Sequence, residues 1–404
     1  MRIALDAIPL TEPKAGIGHY TFELARELAR LAPADDFELV APDRFEIGGD
    51  GLTGAGANLR FVRARSTGVR LRWWSLGLPL YARESRLSLF HGTNYNVPVW
   101  AQCASVVTVH DLSPLLHAAT HREELVKRAR ARLPTMTRVA TRVIADSESV
   151  RREVCEHLGV APGKVTAVPL APRLAFRRVE RGAAAETLRR LGVEDDFVLF
   201  VGTVEPRKNL STLVRAYVEL VRETDLRPQL VIAGQEGWLN EELFGLIERE
   251  GLGPRLVLTG YVSDEDLRAL YSACAVSVYP SLYEGFGLPP LEARSCGAPG
   301  VARRIPVLEE TRSGAALLVA PTDAGELARA LAGLLADAGA RARLAEAGLA
   351  RAAQYTWERT ARLTREVYEE AMREWDGGRS ASVAPAASSV APAAASSRGA
   401  GGGA

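Results

Sequence analysis

At 404 residues the chain is longer than one hydrophobic core usually organises, so two domains are expected. Apolar residues at 47% and charged residues at 25% are an ordinary globular balance, and a formal net charge of +1 gives no global case for nucleic acid as a partner. Four cysteines (Cys103, Cys155, Cys274, Cys296) lack CxxC spacing, which argues against a disulfide scaffold and for thiols in a reducing compartment.

The chain opens MRIALDAIPL; Asp6 interrupts its short apolar run, so residues 3–7 read as a first strand rather than a signal segment. No apolar run reaches the ~20 residues of a membrane helix, so a cytoplasmic location is expected, with peripheral contact at the inner membrane face as an alternative. Residues 18–31 carry apolar side chains at helical spacing. Residues 37–41, 59–62, 87–90 and 105–109 are short β-rich runs. Residues 122–139 predict a helix that Pro134 bends, and 143–145 predict a strand. Ser147 then stands where a helix N-cap belongs.

The pattern restarts after a Pro169-Leu-Ala-Pro172 segment and a charged, alanine-rich stretch. Residues 197–201 form a continuous apolar strand, followed by a helix from Leu210 and strands at 230–233, 256–258, 276–279 and 316–319. Alternating strands and helices predict parallel sheets covered on both faces. The expected fold class is α/β, with two Rossmann-like domains facing a cleft where strand ends gather ligands. The expected division is an N-terminal domain over 1–172, a linker over 173–195, a C-terminal domain over 196–356 and a last helix over 357–375. The Ala-, Ser-, Gly- and Pro-rich tail at 376–404 buries too little surface to offset its ordering entropy and is expected to be disordered.

Four segments carry candidate chemistry. The first is Ser281-Leu-Tyr-Glu-Gly-Phe-Gly-Leu-Pro-Pro-Leu-Glu-Ala293, directly after an apolar strand. Gly285 and Gly287 leave the backbone open on either side of Phe286, and a helix begins near Leu288, where free N–H groups favour an anion. Glu284 and Glu292 flank this nest, which suits a polyhydroxylated, anionic ligand. The second is Gly202-Thr-Val-Glu-Pro-Arg-Lys-Asn209, which puts Arg207 and Lys208 at a strand end, able to neutralise a diphosphate. The third is Ala15-Gly-Ile-Gly-His19, where Gly16 and Gly18 suit a turn opening onto a phosphate. The fourth is Val107-Thr-Val-His-Asp-Leu112, which delivers His110 and Asp111 to a strand's C-terminal edge. Taken singly, each also fits a plain turn, a solvated charge pair or a structural histidine.

Together these segments resemble the family-4 retaining glycosyltransferases of the GT-B fold, and within them the group 1 enzymes that include bacterial mannosyltransferases. The resemblance covers residues 1–375, and its most specific part is the Glu-x7-Glu pattern from Glu284 to Glu292. It implies a nucleotide-diphosphate sugar as donor substrate, with GDP-mannose favoured over UDP- or dTDP-sugars, and no cofactor or metal. It implies that Glu292 binds the ribose and that Glu284 and the 285–288 backbone contact sugar and phosphates. Arg207 and Lys208 would hold the diphosphate, Gly16 would approach it on closure, and His110 would bond the donor sugar. The last helix would cross back to brace the N-terminal domain. The implied reaction is retaining transfer of a hexose to a glycan or lipid-linked acceptor in cell-surface polysaccharide synthesis.

Thr203, Arg294, Gly300 and the Arg303-Arg304 pair depart from the family pattern, which leaves donor selectivity open. The DxD-like Asp264-Glu-Asp266 reads as a helix start capped by Ser263 rather than a metal site. Residues 59–152 hold sixteen Lys and Arg against six Asp and Glu, with Arg70-Leu-Arg-Trp-Trp-Ser among them. That surface suits an anionic membrane and a lipid-linked acceptor, or else a solvated basic face over buried Trp73 and Trp74. A sugar-nucleotide epimerase, a non-catalytic sugar-nucleotide-binding module and an NAD oxidoreductase are the rival classes; the combined motifs favour transfer.

Overall fold

The computed structural model describes residues 1–11, 16–45, 56–100, 102–194, 196–312, 314–320 and 323–383. Seven strands form a first sheet: β1 (Arg2–Asp6), β2 (Asp36–Pro42), β3 (Leu59–Ala64), β4 (Leu89–Gly92), β5 (Ala104–Val109), β6 (Arg142–Ala145) and β7 (Val165–Ala167). Every pairing is parallel, in the order β3-β2-β1-β4-β5-β6-β7. The helices around it are α1 (Gly16–Leu31), α2 (Leu78–Glu84), α3 (Ser113–Leu116), α4 (Glu123–Val139) and α5 (Glu148–Leu158). All six residues of β5 are buried, as a β-branched run covered on both faces should be.

A second parallel sheet follows helix α6 (Arg181–Leu191). Its strands are β8 (Phe197–Val201), β9 (Gln229–Ala233), β10 (Leu256–Gly260), β11 (Val276–Tyr279), β12 (Gly300–Arg303) and β13 (Leu317–Val319), ordered β10-β9-β8-β11-β12-β13. The accompanying helices are α7 (Leu210–Glu223), α8 (Glu241–Glu250), α9 (Asp264–Ala273), α10 (Leu288–Ser295), α11 (Pro306–Arg312), α12 (Ala324–Ala336) and α13 (Ala338–Ala352). Helix α7 buries Leu210, Leu213, Val214, Tyr217 and Leu220, an i, i+3, i+4, i+7 stripe against the sheet. Strand order reverses between β1 and β4 in the first sheet and between β8 and β11 in the second. Parallel sheets open a ligand crevice beyond the strand ends at such a reversal.

Helix α14 (Trp357–Val383) returns to the first sheet. Ala361, Val367, Tyr368 and Ala371 join a core with Ile3, Leu5, Leu24 and Phe37. The Trp357 indole donates to the Pro172 carbonyl at 3.0 Å, and Thr360 Oγ1 to the Pro169 carbonyl at 2.8 Å. The helix passes the expected stop at Trp375 by eight residues. Extending a formed helix is far cheaper than nucleating one, so weak helix formers after Asp376 can follow a strong preceding run. The rest of the expected tail, 384–404, lies outside the described residues, as does Ala15.

Two further differences from the sequence reading are local. The stretch expected as linker contains α6, which packs on α9. Gly16 and Gly18 lie in the first turn of α1 rather than in a turn before it. The Trp73–Gly77 segment winds as a π-helical turn with Trp73 buried and Trp74 half-buried. Ser147 does cap α5, accepting from Val150 N at 3.1 Å, and Ser263 caps α9, accepting from Asp266 N at 3.1 Å.

Candidate active site

The crevice of the second sheet is built by the chain leaving β8 and β11. After β8, residues 206–208 make one 3-10 turn, ended by Asn209 in the left-handed region at φ 55°. That turn tucks Arg207 and Lys208 inward instead of leaving them in solvent. After β11, residues 280–287 run to Gly287, whose φ of +88° strains any side-chain-bearing residue, and α10 starts at Leu288. Leu282 N donates to the Arg207 carbonyl at 2.8 Å and ties the two loops together.

Glu284 is the hub. Its Oε1 lies 2.7 Å from Lys208 Nζ and its Oε2 3.1 Å from Arg207 Nη1. Arg207 also donates to the Tyr283 carbonyl at 2.9 Å and to Glu205 at 2.6 Å. Burial alone would raise the Glu284 pKa, but Lys208 and Arg207 outweigh it and hold it down at about 2. Burial, with Arg207 adding to it, pulls the Lys208 pKa below the usual lysine range. A buried and a half-buried cation and two carboxylates are thus concentrated beside an open helix start.

The N-terminal domain closes directly onto this loop. A Cβ on Gly285 would sit 1.9 Å from the His110 carbonyl oxygen and 2.9 Å from Asp111 Cβ. Ser147 Oγ donates to the Gly285 carbonyl at 2.8 Å. The Tyr283 hydroxyl accepts from Leu112 N at 3.0 Å and donates to Glu153 at 2.5 Å. Phe286 is buried against Tyr355, with ring centroids 5.8 Å apart.

His110 is buried at the end of β5, but its ring is already engaged. Nδ1 lies 2.7 Å from Asp146 Oδ2, and Nε2 2.7 Å from the Thr93 carbonyl, which accepts only an N–H. Burial would lower its pKa, yet Asp146 and the carbonyl raise it overall, while burial raises that of Asp146, so the two share a tightly held proton. A sugar hydroxyl bonding Nε2 would have to displace Thr93.

Glu292 lies inside α10 and is held by Arg173, at 2.7 Å and 3.2 Å. The same guanidinium reaches Asp264 at 2.6 Å and His19 Nε2 at 3.2 Å, and stacks over the Phe176 ring at 4.4 Å. Arg173 therefore joins α1 to the second sheet's crevice. Gly16 opens α1 on the exposed side, with nothing within 4 Å of where its Cβ would be. Arg173, Glu205, Asp146 and Tyr283 were not singled out from the sequence. Asp146 follows β6 as His110 follows β5, so strand-end position was the available signal.

The family model for Glycosyl transferases group 1 matches residues 189–351, and that for Glycosyltransferase Family 4 matches residues 15–171. The O-antigen chain mannosyltransferase B of Escherichia coli is 30% identical over 386 residues, covering 91% of this chain and 100% of that protein. This chain belongs to the group 1, family-4 glycosyltransferases. The sucrose-phosphate synthase of Thermosynechococcus elongatus superposes with a TM-score of 0.73 at 24% identity, over 92% of this chain and 98% of that one. Anabaena Alr3699/HepE, solved with UDP and glucose, gives 0.70 at 18% identity, over 92% and 100%. The two-sheet architecture is the GT-B fold.

In this glycosyltransferase the unusual Arg294 braces the fold. Its Nε and Nη1 donate to the carbonyls of Pro290 and Thr311 at 3.0 Å and 2.8 Å, and its stem packs on Gly348. Burial lowers its pKa to about 10. Arg303, at the end of β12, is half-buried, and its Nε and Nη1 have no hydrogen-bond partner among the described residues. The two aspartates of the DxD-like string are engaged with arginines, Asp264 with Arg173 and Asp266 with Arg190. No described helix is long and apolar enough to cross a membrane.

Proposed function

We propose that this glycosyltransferase moves a hexose, mannose being favoured, from a nucleotide-diphosphate donor, GDP being the favoured base, to a glycan or lipid-linked acceptor, with retention and without a metal ion or cofactor. The carrying observation is the pairing of Glu284 with both Arg207 and Lys208 beside the Gly287-opened start of α10. In the donor complex the pyrophosphate takes over part of the charge that Glu284 and Glu205 now neutralise. The freed Glu284 and the 285–288 backbone then face the sugar. Glu292 receives the ribose once it shares or releases Arg173, and the Gly16 end of α1 approaches the diphosphate. The 30% identity to an O-antigen chain mannosyltransferase supports mannose. A UDP- or dTDP-sugar is the alternative donor.

Chemically, the bond from sugar C1 to the pyrophosphate oxygen breaks while the acceptor oxygen bonds C1 on the same face. The acceptor's proton passes to the departing phosphate oxygen. Preorganised donors aimed at such developing charge contribute about 3 kcal/mol each. Closure over Gly285 keeps water from competing. His110, locked by Asp146, positions the strand end that meets Gly285 and bonds the sugar if Thr93 yields. The enzyme works in the cytoplasm, with peripheral contact to the inner membrane face.

The experiment is a thermal-shift screen with GDP-, UDP-, dTDP- and ADP-sugars, since a ligand that binds only the folded state raises the midpoint by mass action. GDP-mannose is expected to give the largest shift, and Lys208→Ala to abolish most of it. No shift with any of the four, or an undiminished shift in the variant, overturns the reading.

A further inference from the structure

A cavity of about 380 Å³ opens beside Arg207. That size lies within the range of small-molecule sites. Its walls include Asn94, Asn96 and Asp111 after β4 and β5, Arg128 and Arg132 on α4, and Trp238 from the second domain. We infer that this cavity is the acceptor subsite and that it selects an acceptor bearing an anionic group, held by Arg128 and Arg132. The inference rests on the glycosyl-transfer reading and adds the acceptor's chemical class.

Three observations converge. Arg128 and Arg132 are four residues apart, hence on one helix face, and both line the cavity. Neither has a carboxylate within salt-bridge distance among the described residues. The acids that also line the cavity are committed elsewhere: Asp111 accepts from Ser113 N and Oγ, at 2.9 Å and 2.8 Å, and Glu205 holds Arg207. Lys127, the neighbouring cation on α4, pairs instead with Glu123 at 2.6 Å. Burial and the neighbouring Arg128 both pull the Arg132 pKa down, the signature of a cation short of counter-charge.

The second observation is a carbohydrate-like lining. Trp238 is fixed by its indole N–H, which donates to the Thr120 carbonyl at 3.0 Å, and its ring lies 6.1 Å from that of His121. His121 lines the same cavity, and both of its ring nitrogens are enclosed without a hydrogen-bond partner among the described residues. An aromatic face with unsatisfied polar atoms beside it suits a sugar ring and its hydroxyls. The third is the shared wall: Arg207 contributes to this cavity and contacts Glu284, so an acceptor hydroxyl here lies next to the donor phosphates. Trp238 and α4 come from different domains, so the subsite is complete only when the cleft is closed.

The anionic group is a phosphodiester or a carboxylate. Calorimetric titration of the full chain, with no donor present, compares hexyl α-mannoside, hexyl α-mannosyl phosphate and hexyl β-glucuronide. At least one anionic probe is expected to bind about tenfold more tightly than the neutral glycoside. A preference for the phosphate alone assigns a phosphodiester, and one for the glucuronide alone assigns a uronic acid. The Arg128→Gln/Arg132→Gln pair, checked for an unchanged melting profile, is expected to erase the preference; the Arg→Lys pair retains part of it. Equal dissociation constants for all three probes, or a preference that survives in the Gln pair, overturn the inference. Because no donor is needed, this result stands apart from the nucleotide-sugar screen, and either reading can fail alone.

Discussion

At the scale of single residues, Gly285 is a position where the two domains meet without room for a side chain. A Cβ 1.9 Å from the His110 carbonyl cannot be absorbed by a flexible side chain, because the atom it meets is backbone. Gly285→Ala is therefore expected to block closure while leaving each domain's core intact. Turnover with nucleotide sugar and acceptor should fall at least ~100-fold, as a misplacement of about 1 Å at a reacting site can produce. Donor-induced stabilisation should fall much less. Near-normal turnover in a folded variant would show that the closed contact is not the working state. The sequence displayed this glycine as part of a motif, and the pairing of Glu284 with Arg207 and Lys208 joins segments already singled out. It did not display Arg173 on Glu292, or Asp146 and Thr93 filling both nitrogens of His110. Those partners lie 17 to 119 residues away in the chain, and only the strand order brings them together.

At the scale of elements, a buried polar pair adds to the apolar core that fastens α14 to the first sheet. The Tyr368 hydroxyl lies 2.6 Å from His91 Nδ1, while His91 Nε2 lies 2.7 Å from Thr108 Oγ1. Burial, aided by the nearby His110 charge, pushes the His91 pKa down to about 3. The folded state thus favours neutral His91, and its contribution is fully present above the ordinary histidine value. That contribution is lost as pH falls from about 6.5 toward 3. Tyr368→Phe leaves one buried nitrogen unsatisfied and should cost about 1–3 kcal/mol at neutral pH, read from the urea midpoint. The wild type should lose stability steadily over that acid window, and a His91→Gln variant should lose less. A flat profile in the wild type would contradict the assignment of a neutral, buried His91. The elements themselves were largely legible. Continuous apolar runs such as Phe197–Val201 can hardly be anything but covered strands, and Ser147 and Ser263 marked real helix starts. The misses have physical reasons: α6 is a polar helix whose packing surface on α9 is tertiary, and β7 is only three residues long.

For the whole molecule, the chain leaving β5 meets the Gly285 loop, and closure brings the anion nest and the cavity beside Arg207 together. The loop after β4 passes Asn94, Tyr95 and Asn96 in the cavity wall and then surfaces at Val99 and Trp100. Val99 N donates to the Trp74 carbonyl at 3.1 Å, which sets this tip against the Trp73–Gly77 turn, where Leu71 and Leu76 are also exposed. Trp100 is 67% exposed and Leu71 59%, unusual values for large apolar side chains. Exposed Arg63, Arg65 and Arg72 belong to the same stretch of chain, while Arg70 is paired with Glu84. An apolar tip, with exposed arginines in the chain stretch that carries Leu71, suits the headgroup region of an anionic bilayer, where each basic residue contributes about 1 kcal/mol. Such docking would place a lipid-linked acceptor within a few residues of the cavity. Sedimentation with vesicles containing anionic phospholipid should show binding that weakens steeply with added salt, and little binding to neutral vesicles. Burying a large apolar side chain contributes roughly 1.5–3 kcal/mol, so Trp100→Ser with Leu71→Ser should weaken vesicle binding at least tenfold. Transfer to a water-soluble acceptor should be unchanged in that variant. Equal binding to neutral and anionic vesicles, or a double variant that binds like the wild type, would remove the membrane from the account and leave the tip as an ordinary surface.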